Sequence, residues 1–222
     1  MCYGRVMRPK GKVKLIWSPE FAYAIGLLVT DGCMSSDGRH IDLTSNDKEQ
    51  LVNFMKCLGI KNKIGFKMSG YTGRQAMCVQ FSDVTFYNFL VGIGLMPNKS
   101  KVLEAIAIPD EYFFDFLRGD FDGDGTFYSY WDPRWRSSYM FYTVFMSASE
   151  KHIYWMRDEI FQRLGIKGHI TITGKTPMYQ IKYAKAESLI LLPKMYYNAE
   201  VVCLSRKRKK IEAALAILRN GI

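Results

Sequence analysis

The side chains best able to do chemistry are concentrated in RGDFDGDGTF, residues 118–127, where Asp120, Asp122 and Asp124 occupy alternate positions. Aspartates spaced in this way and followed by glycine open an EF-hand loop, in which Ca2+ gathers about six to eight oxygens. Such a loop needs a glutamate at its twelfth position. Counted from Asp120, that position is Trp131, which offers no oxygen ligand. The loop must also lead into a helix. Here it leads into TFYSYWDPRWRSSYMFYTVFM, whose aromatic and β-branched residues flank a turn at Asp132-Pro133 and predict strand, turn, strand. Both features oppose a calcium loop. A helix end and turn would explain Gly125, but not so much acid at one point of a basic chain.

An internal repeat sorts the acids. CLGIKNKIGF at 57–66 is echoed by RLGIKGHITI at 163–172, with LGIK identical. Each is preceded by a helical pattern with a capping-type start, TSNDKEQLVNFMKC and SASEKHIYWMRDEIFQR, and each helix by a strand-like segment, IDLTS and TVFMS. Further upstream, AIGLLVTDG at 24–32 aligns with LRGDFDGDG at 117–125. One offset matches Gly26 with Gly119, Asp31 with Asp124 and Gly32 with Gly125. The larger offset of LGIK reflects a longer first hairpin in the second half and about one extra turn of helix. The chain therefore reads as two divergent copies of helix, hairpin, helix, hairpin, helix. Asp120 and Asp122 align with Leu27 and Val29, so only Asp124 has an acidic counterpart. One carboxylate per half is expected to act jointly with the other, and Asp122 to stand outside the pair.

Two helices must position these acids. In SPEFAYAIGLLVTD, Ser18 is a natural N-cap and Pro19 suits the first helical position. The segment is apolar nearly all round, so it is expected to be buried. Ala22, Gly26 and Thr30 form one stripe of small residues; a second helix over roughly 109–123 places Gly119 and Gly123 correspondingly. Small residues let two helix backbones approach closely. Packing about a pseudo-twofold axis would end both helices together, with Asp31 beside Asp124. Adjacent carboxylates at helix C-termini call for a cation, and clustered carboxylate and carbonyl oxygens suit Mg2+.

Two such helices, ending in AIGLLVTDG and LRGDFDGDG, resemble the LAGLIDADG homing endonucleases in their single-chain, two-motif form. The resemblance covers the chain from about 18 to 210. Val29, Thr30 and Asp120 depart from the pattern, but the acidic eighth position is kept in both motifs. The resemblance implies an α+β fold of two pseudo-symmetric αββαββα halves, 1–104 and 105–222. Each half would present a curved antiparallel sheet, the two forming a DNA-binding saddle. It implies a monomeric, intron-encoded endonuclease that hydrolyses one phosphodiester per strand across the minor groove of a long, non-palindromic duplex, leaving short 3′ overhangs. Mg2+ would be the cofactor, with Ca2+ or Mn2+ able to occupy the same sites. Asp31 and Asp124 would hold the metals, with the main-chain carbonyls of Thr30 and Gly123 as co-ligands. A basic residue beside each site is also implied: LMPNKSKVL and CLSRKRKKI, each following the last helix of its half, align Lys99 with Lys207 and Lys101 with Lys209, and the first pair is preferred. Ser45 and Ser147, matched at strand ends, read as helix-capping residues in preference to water-ordering ones. A non-cleaving nucleic-acid-binding protein of the same fold, an intron RNA maturase or a regulator, is the alternative; the retention of both acids favours cleavage.

Composition agrees with a polyanionic partner. Of 222 residues, 31 are Lys or Arg against 21 Asp or Glu, a formal charge of +10. No apolar run is long enough to span a bilayer, so no membrane partner is expected, and the N-terminal stretch shows no secretory pattern. Five cysteines without a CxxC pair oppose a zinc site or disulfide framework and suggest a reducing intracellular compartment, cytoplasm or organelle matrix. For groove contacts, strand-like segments offer Arg39, His40, Lys63, Lys67, Arg74, Gln75 and Gln80 in the first half. The second half offers Arg134, Arg136, Lys167, His169, Lys175, Gln180 and Lys182. The three histidines lack ligand spacing, and His152 is expected on a helix surface. Most of the 14 Tyr, 14 Phe and 4 Trp are assigned to packing, with Trp131 and Trp135 as the exceptions.

Overall fold

A computed structural model describes residues 11–68, 73–135 and 138–219. In chain order the first half holds α1 (Pro19–Thr30), β1 (Gly32–Met34), β2 (His40–Ser45), α2 (Lys48–Leu58), β3 (Gly65–Met68), β4 (Gln75–Ser82) and α3 (Val84–Gly92). The second holds α4 (Phe113–Gly123), β5 (Thr126–Trp131), β6 (Tyr139–Ser147), α5 (Glu150–Leu164), β7 (His169–Thr173), β8 (Met178–Tyr183) and α6 (Lys185–Met195), followed by an added helix, α7 (Ser205–Arg219). The repeat expected from the sequence is therefore present, with α5 longer than α2 and a longer β5–β6 hairpin. The second motif helix starts later than expected, because Asp110–Tyr112 form a 3-10 turn before it.

Each half contributes one four-stranded antiparallel sheet, ordered β1-β2-β4-β3 and β5-β6-β8-β7. Registers are equivalent: Asp42 pairs with Gln80 and Thr44 with Cys78, as Val144 pairs with Lys182 and Met146 with Gln180. Ile41, Leu43, Val79 and Phe81 face the core in one sheet; Phe141, Thr143, Phe145 and Ile181 do so in the other. The alternate positions make an outer face on each sheet.

Local signals explain the elements. Ser18 accepts from the Phe21 amide at 3.1 Å to cap α1, and Asp47 caps α2 through the Glu49 amide. The repeated LGIK is a helix stop. Gly59 and Gly165 take left-handed φ of 65° and 69°, and the isoleucines that follow are buried. In the first copy the Ile60 amide reaches back to the Met55 carbonyl at 3.0 Å.

The centre of the molecule is the α1–α4 pair. Ala22 is fully buried. A Cβ on Gly26 would stand 2.2 Å from the Phe116 carbonyl oxygen, and one on Gly119 would stand 2.1 Å from that of Tyr23. Gly26 and Gly119, two of the residues expected at a helix interface, are at one, and only glycine permits this approach. Tyr23 adds a polar cross-link by donating to Asp122 at 2.9 Å.

Candidate functional site

Both helices end at the same point. Asp31 is the C-cap residue of α1 and Asp124 that of α4. A Cβ on Gly123 would lie 1.9 Å from the Thr30 hydroxyl and 3.1 Å from Asp31 Oδ2, so each helix tip touches the other. The carboxyls feel that proximity. Asp124 is pushed up to about 6, by burial first and then by the like charges of Asp31 and Asp120. Much of the Asp124 side chain still reaches solvent, so the neighbouring charges secure the direction of its shift. Burial also raises Asp31, against a hydrogen bond from Gln50 and the charges of Lys207 and Lys99.

Two cavities open beside the acids. One of about 570 Å³ is lined by Asp31, Ser45, Gln50, Arg206 and the opposite helix's Gly123. The other, of about 180 Å³, is lined by Asp124, Ser147, His152, Asp120 and the opposite helix's Thr30. Each acid therefore shares a cavity with the neighbouring helix tip. Thr30 lines the cavity of Asp124 and Gly123 that of Asp31, and the Gly123 carbonyl accepts from Lys207 at 3.3 Å. Among the described residues no three His, Cys, Asp or Glu side chains converge as a complete metal cage. One carboxylate, main-chain oxygens and an open cavity suit an ion that keeps waters and completes its shell from a phosphate, as Mg2+ does.

The two lysines repeat the symmetry. Lys99 Nζ donates to the Gly32 carbonyl, and Lys207 Nζ donates to that of Gly125 at 2.6 Å; these glycines follow the two acids. Lys207 also donates to the carbonyls of Phe121 and Asp122. Both side chains are buried, not extended into water, because carbonyls at a helix C-terminus carry partial negative charge and attract a cation. Burial lowers Lys99 and brings Lys207 down to about 8.

Symmetry breaks around the acids, and here sequence reading missed four residues. Gln50 donates to Asp31 and accepts from the Ser45 hydroxyl at 2.7 Å. Its positional equivalent is His152, 1% exposed, not on the helix surface as expected. His152 lies on the inward stripe of α5 with Met156 and Ile160. Its Nδ1 meets the Glu104 carbonyl at 2.8 Å, and its Nε2 stands 3.8 Å from Asp120 Oδ2. Asp120 is buried with its Oδ1 unpartnered. Asp122 is a structural anchor. It accepts from the Leu204 amide at 2.7 Å as well as from Tyr23, fixing the approach to α7 and so to Lys207. Burial pushes it to about 6. Ser45 and Ser147 accept from the amides of Asp47 and Ser149 in the turns before α2 and α5; they are not the helix caps expected, because Asp47 and Ser149 occupy the N-cap positions.

Of the expected groove contacts, His40, Lys67 and Gln80 share the outer face of the first sheet, and His169, Gln180 and Lys182 that of the second. Lys67 is paired there with Asp42 at 3.1 Å. Register puts Gln75 on the opposite face from Lys67, because it pairs with Met68. Arg39, Lys63, Arg74, Arg134, Lys167 and Lys175 are exposed but lie in turns and connections at strand ends, where hairpin turns end the ladders earlier than composition suggested. Arg134 is held by Asp132 at 3.0 Å, and Arg136 lies outside the described residues. Trp131 and Trp135 are exposed as expected. The four described cysteines are free, and no described helix is long and apolar enough to cross a membrane.

Comparison with known proteins places this geometry. No family model matches the chain, and no curated protein matches it. Solved structures do. The meganuclease I-SmaMI bound to uncleavable DNA matches with a TM-score of 0.62 at 12% identity, over 92% of this chain and 91% of that one. The N-terminal LAGLIDADG domain of DUF199/WhiA matches with a TM-score of 0.53 at 19% identity, over 90% of this chain and 89% of the domain. The chain spans 62% of full-length WhiA from Thermatoga maritima. The homing endonuclease I-DmoI in complex with DNA and Mn matches with a TM-score of 0.50 at 13% identity, over 82% of this chain and 98% of that one.

Proposed function

We propose that this chain, built on the LAGLIDADG fold with both halves in one polypeptide, is a site-specific double-strand DNA endonuclease that works as a monomer inside the cell. The observation that carries the reading is the meeting of Asp31 and Asp124 at the tips of two glycine-packed helices, each beside its own cavity and each followed by a glycine whose carbonyl holds a buried lysine. Asp31 and Asp124, with the carbonyls of Thr30 and Gly123, would hold Mg2+. Bound there, the ion would polarise a water and offset charge on the attacking and leaving oxygens of a phosphodiester. Gln50 orients the Asp31 carboxylate. Lys99 and Lys207 hold the helix ends that carry the acids, so they are positioning residues first. The outer faces and end loops of the sheets would lie in the major groove of a long, asymmetric duplex, one half-site per sheet, dividing the chain near residues 104 and 105.

A second reading is a nucleic-acid-binding protein of the same fold that does not cut, and the match to the WhiA domain supports it. Retention of both acids argues for cutting. The test is incubation with a randomised duplex library in Mg2+, followed by sequencing of the cut ends. Recovery of one family of long, non-palindromic sequences supports the endonuclease; specific retention of duplexes without cut ends supports the second reading.

A further inference from the structure

The outer faces of the two sheets differ in chemistry. On the first, His40, Asp42, Thr44, Lys67 and Gln80 are polar or charged. On the second, Val144 stands where Asp42 does and Tyr142 where His40 does. The longer strand β5 adds Tyr128 and Tyr130 on the same face, with Tyr128 directly opposite Tyr142. The three rings lie nearly parallel: Tyr128 and Tyr142 at 5.2 Å and 18°, Tyr130 and Tyr142 at 6.3 Å and 8°, and Tyr128 and Tyr130 at 6.5 Å and 11°. Tyr128 and Tyr130 are each 41% exposed. Core packing does not explain them, because their face is the one turned away from Phe141 and Phe145.

An exposed aromatic strip on a basic protein marks a surface that is covered when a partner binds. The three rings pack on one another at 5.2–6.5 Å, so they form one preset apolar patch on a face that also carries Gln180 and Lys182, and a basic face of this kind suits a duplex groove. The apolar group that B-DNA shows in its major groove is the thymine C5-methyl. We propose that Tyr128, Tyr130 and Tyr142 read thymine methyls in the half-site that lies under the second sheet, whereas the first sheet reads its half-site by charge and hydrogen bonds. The proposal rests on the duplex-binding reading above.

Deoxyuridine differs from thymidine only by that methyl, so it isolates the contact. In the duplex recovered by selection, thymines are replaced by deoxyuridine in one half-site at a time, and binding is measured in Ca2+ without cleavage. The expected result is a loss of about fourfold per contacted methyl, the scale of one buried carbon group, in one half-site only. The Tyr128→Ser, Tyr142→Ser double variant, checked for native melting, should bind the thymidine duplex more weakly than wild type and lose most of that difference between thymidine and deoxyuridine. Specific binding with no deoxyuridine effect, an equal effect in both half-sites, or an effect that survives in the double variant would overturn this proposal alone. Tighter binding of the corresponding single strand or RNA would overturn it in favour of a stacking surface. No sequence preference for any duplex would overturn both this proposal and the reading beneath it.

Discussion

Asp124 carries a charge that the folded chain tolerates poorly. In an unfolded chain an aspartate ionises near about 4; folded, Asp124 does so at about 6. A raised carboxyl pKa means that the folded state binds the proton more tightly, so the ionised form costs stability above pH about 6 and the cost fades as pH falls towards 4. Asp124→Asn removes that charge at every pH. Without divalent metal, the variant should melt above wild type at pH 8, and the two should converge by pH 4; calorimetry across that range checks it. Because that proton competes with the metal, the Mg2+ concentration needed for half-maximal cleavage should rise on the acid side of pH about 6. Burial disfavours the Lys207 charge as well, bringing its pKa down to about 8, but its ammonium donates to the carbonyls of Phe121, Asp122, Gly123 and Gly125 at and just past the end of α4. Lys207→Met should lose about 1–3 kcal/mol in denaturant unfolding, the scale of stranded buried acceptors. The two acids are legible in sequence because they repeat at one offset. Gln50, His152 and Asp120 are not, because their roles depend on which side of α2, α4 and α5 faces the helix tips, and sequence spacing leaves that open by a fraction of a turn.

The α1–α4 pair is the element on which the site depends. Its small-residue stripe, its Ser18 cap and its apolar surround are all local signals, which is why the helix contact can be read from the chain. With a Gly119 Cβ placed 2.1 Å from a main-chain oxygen, neither helix can yield without separating. Gly119→Ala should therefore cost about 3 kcal/mol or more and should reduce cleavage beyond what the lost stability explains, because the tips move apart. A melting curve and a single-turnover cleavage assay separate the two effects. Strand lengths are less legible than helices. Arg39, Arg74 and Arg134 read as strand residues although they lie just outside the ladders, which begin at His40 and Gln75 and end at Trp131. The role of Asp122 is invisible in sequence because its partner, the Leu204 amide, comes from the far end of the chain.

The whole molecule is one chain with two unlike sheets, so one copy should occupy one asymmetric duplex. With a formal charge of +10 and about −0.9 per phosphate neutralised, log K against log salt should fall with a slope on the order of −5 or steeper. A salt titration with sedimentation of the complex checks both; a protein dimer on the DNA, or a slope near zero, would be inconsistent with this arrangement. The most direct measurement follows strand cleavage of the selected duplex, labelled on both strands, in Mg2+. Wild type is compared with Asp31→Asn and Asp124→Asn, and binding is measured in parallel in Ca2+. Wild type should cut both strands. Each variant should lose double-strand cleavage by on the order of 10³-fold, the scale of a lost pre-placed electrostatic group, with affinity nearly unchanged. Undiminished double-strand cleavage by either variant, or no cleavage by wild type of a duplex that it binds specifically, would contradict the assignment of one acid to each strand.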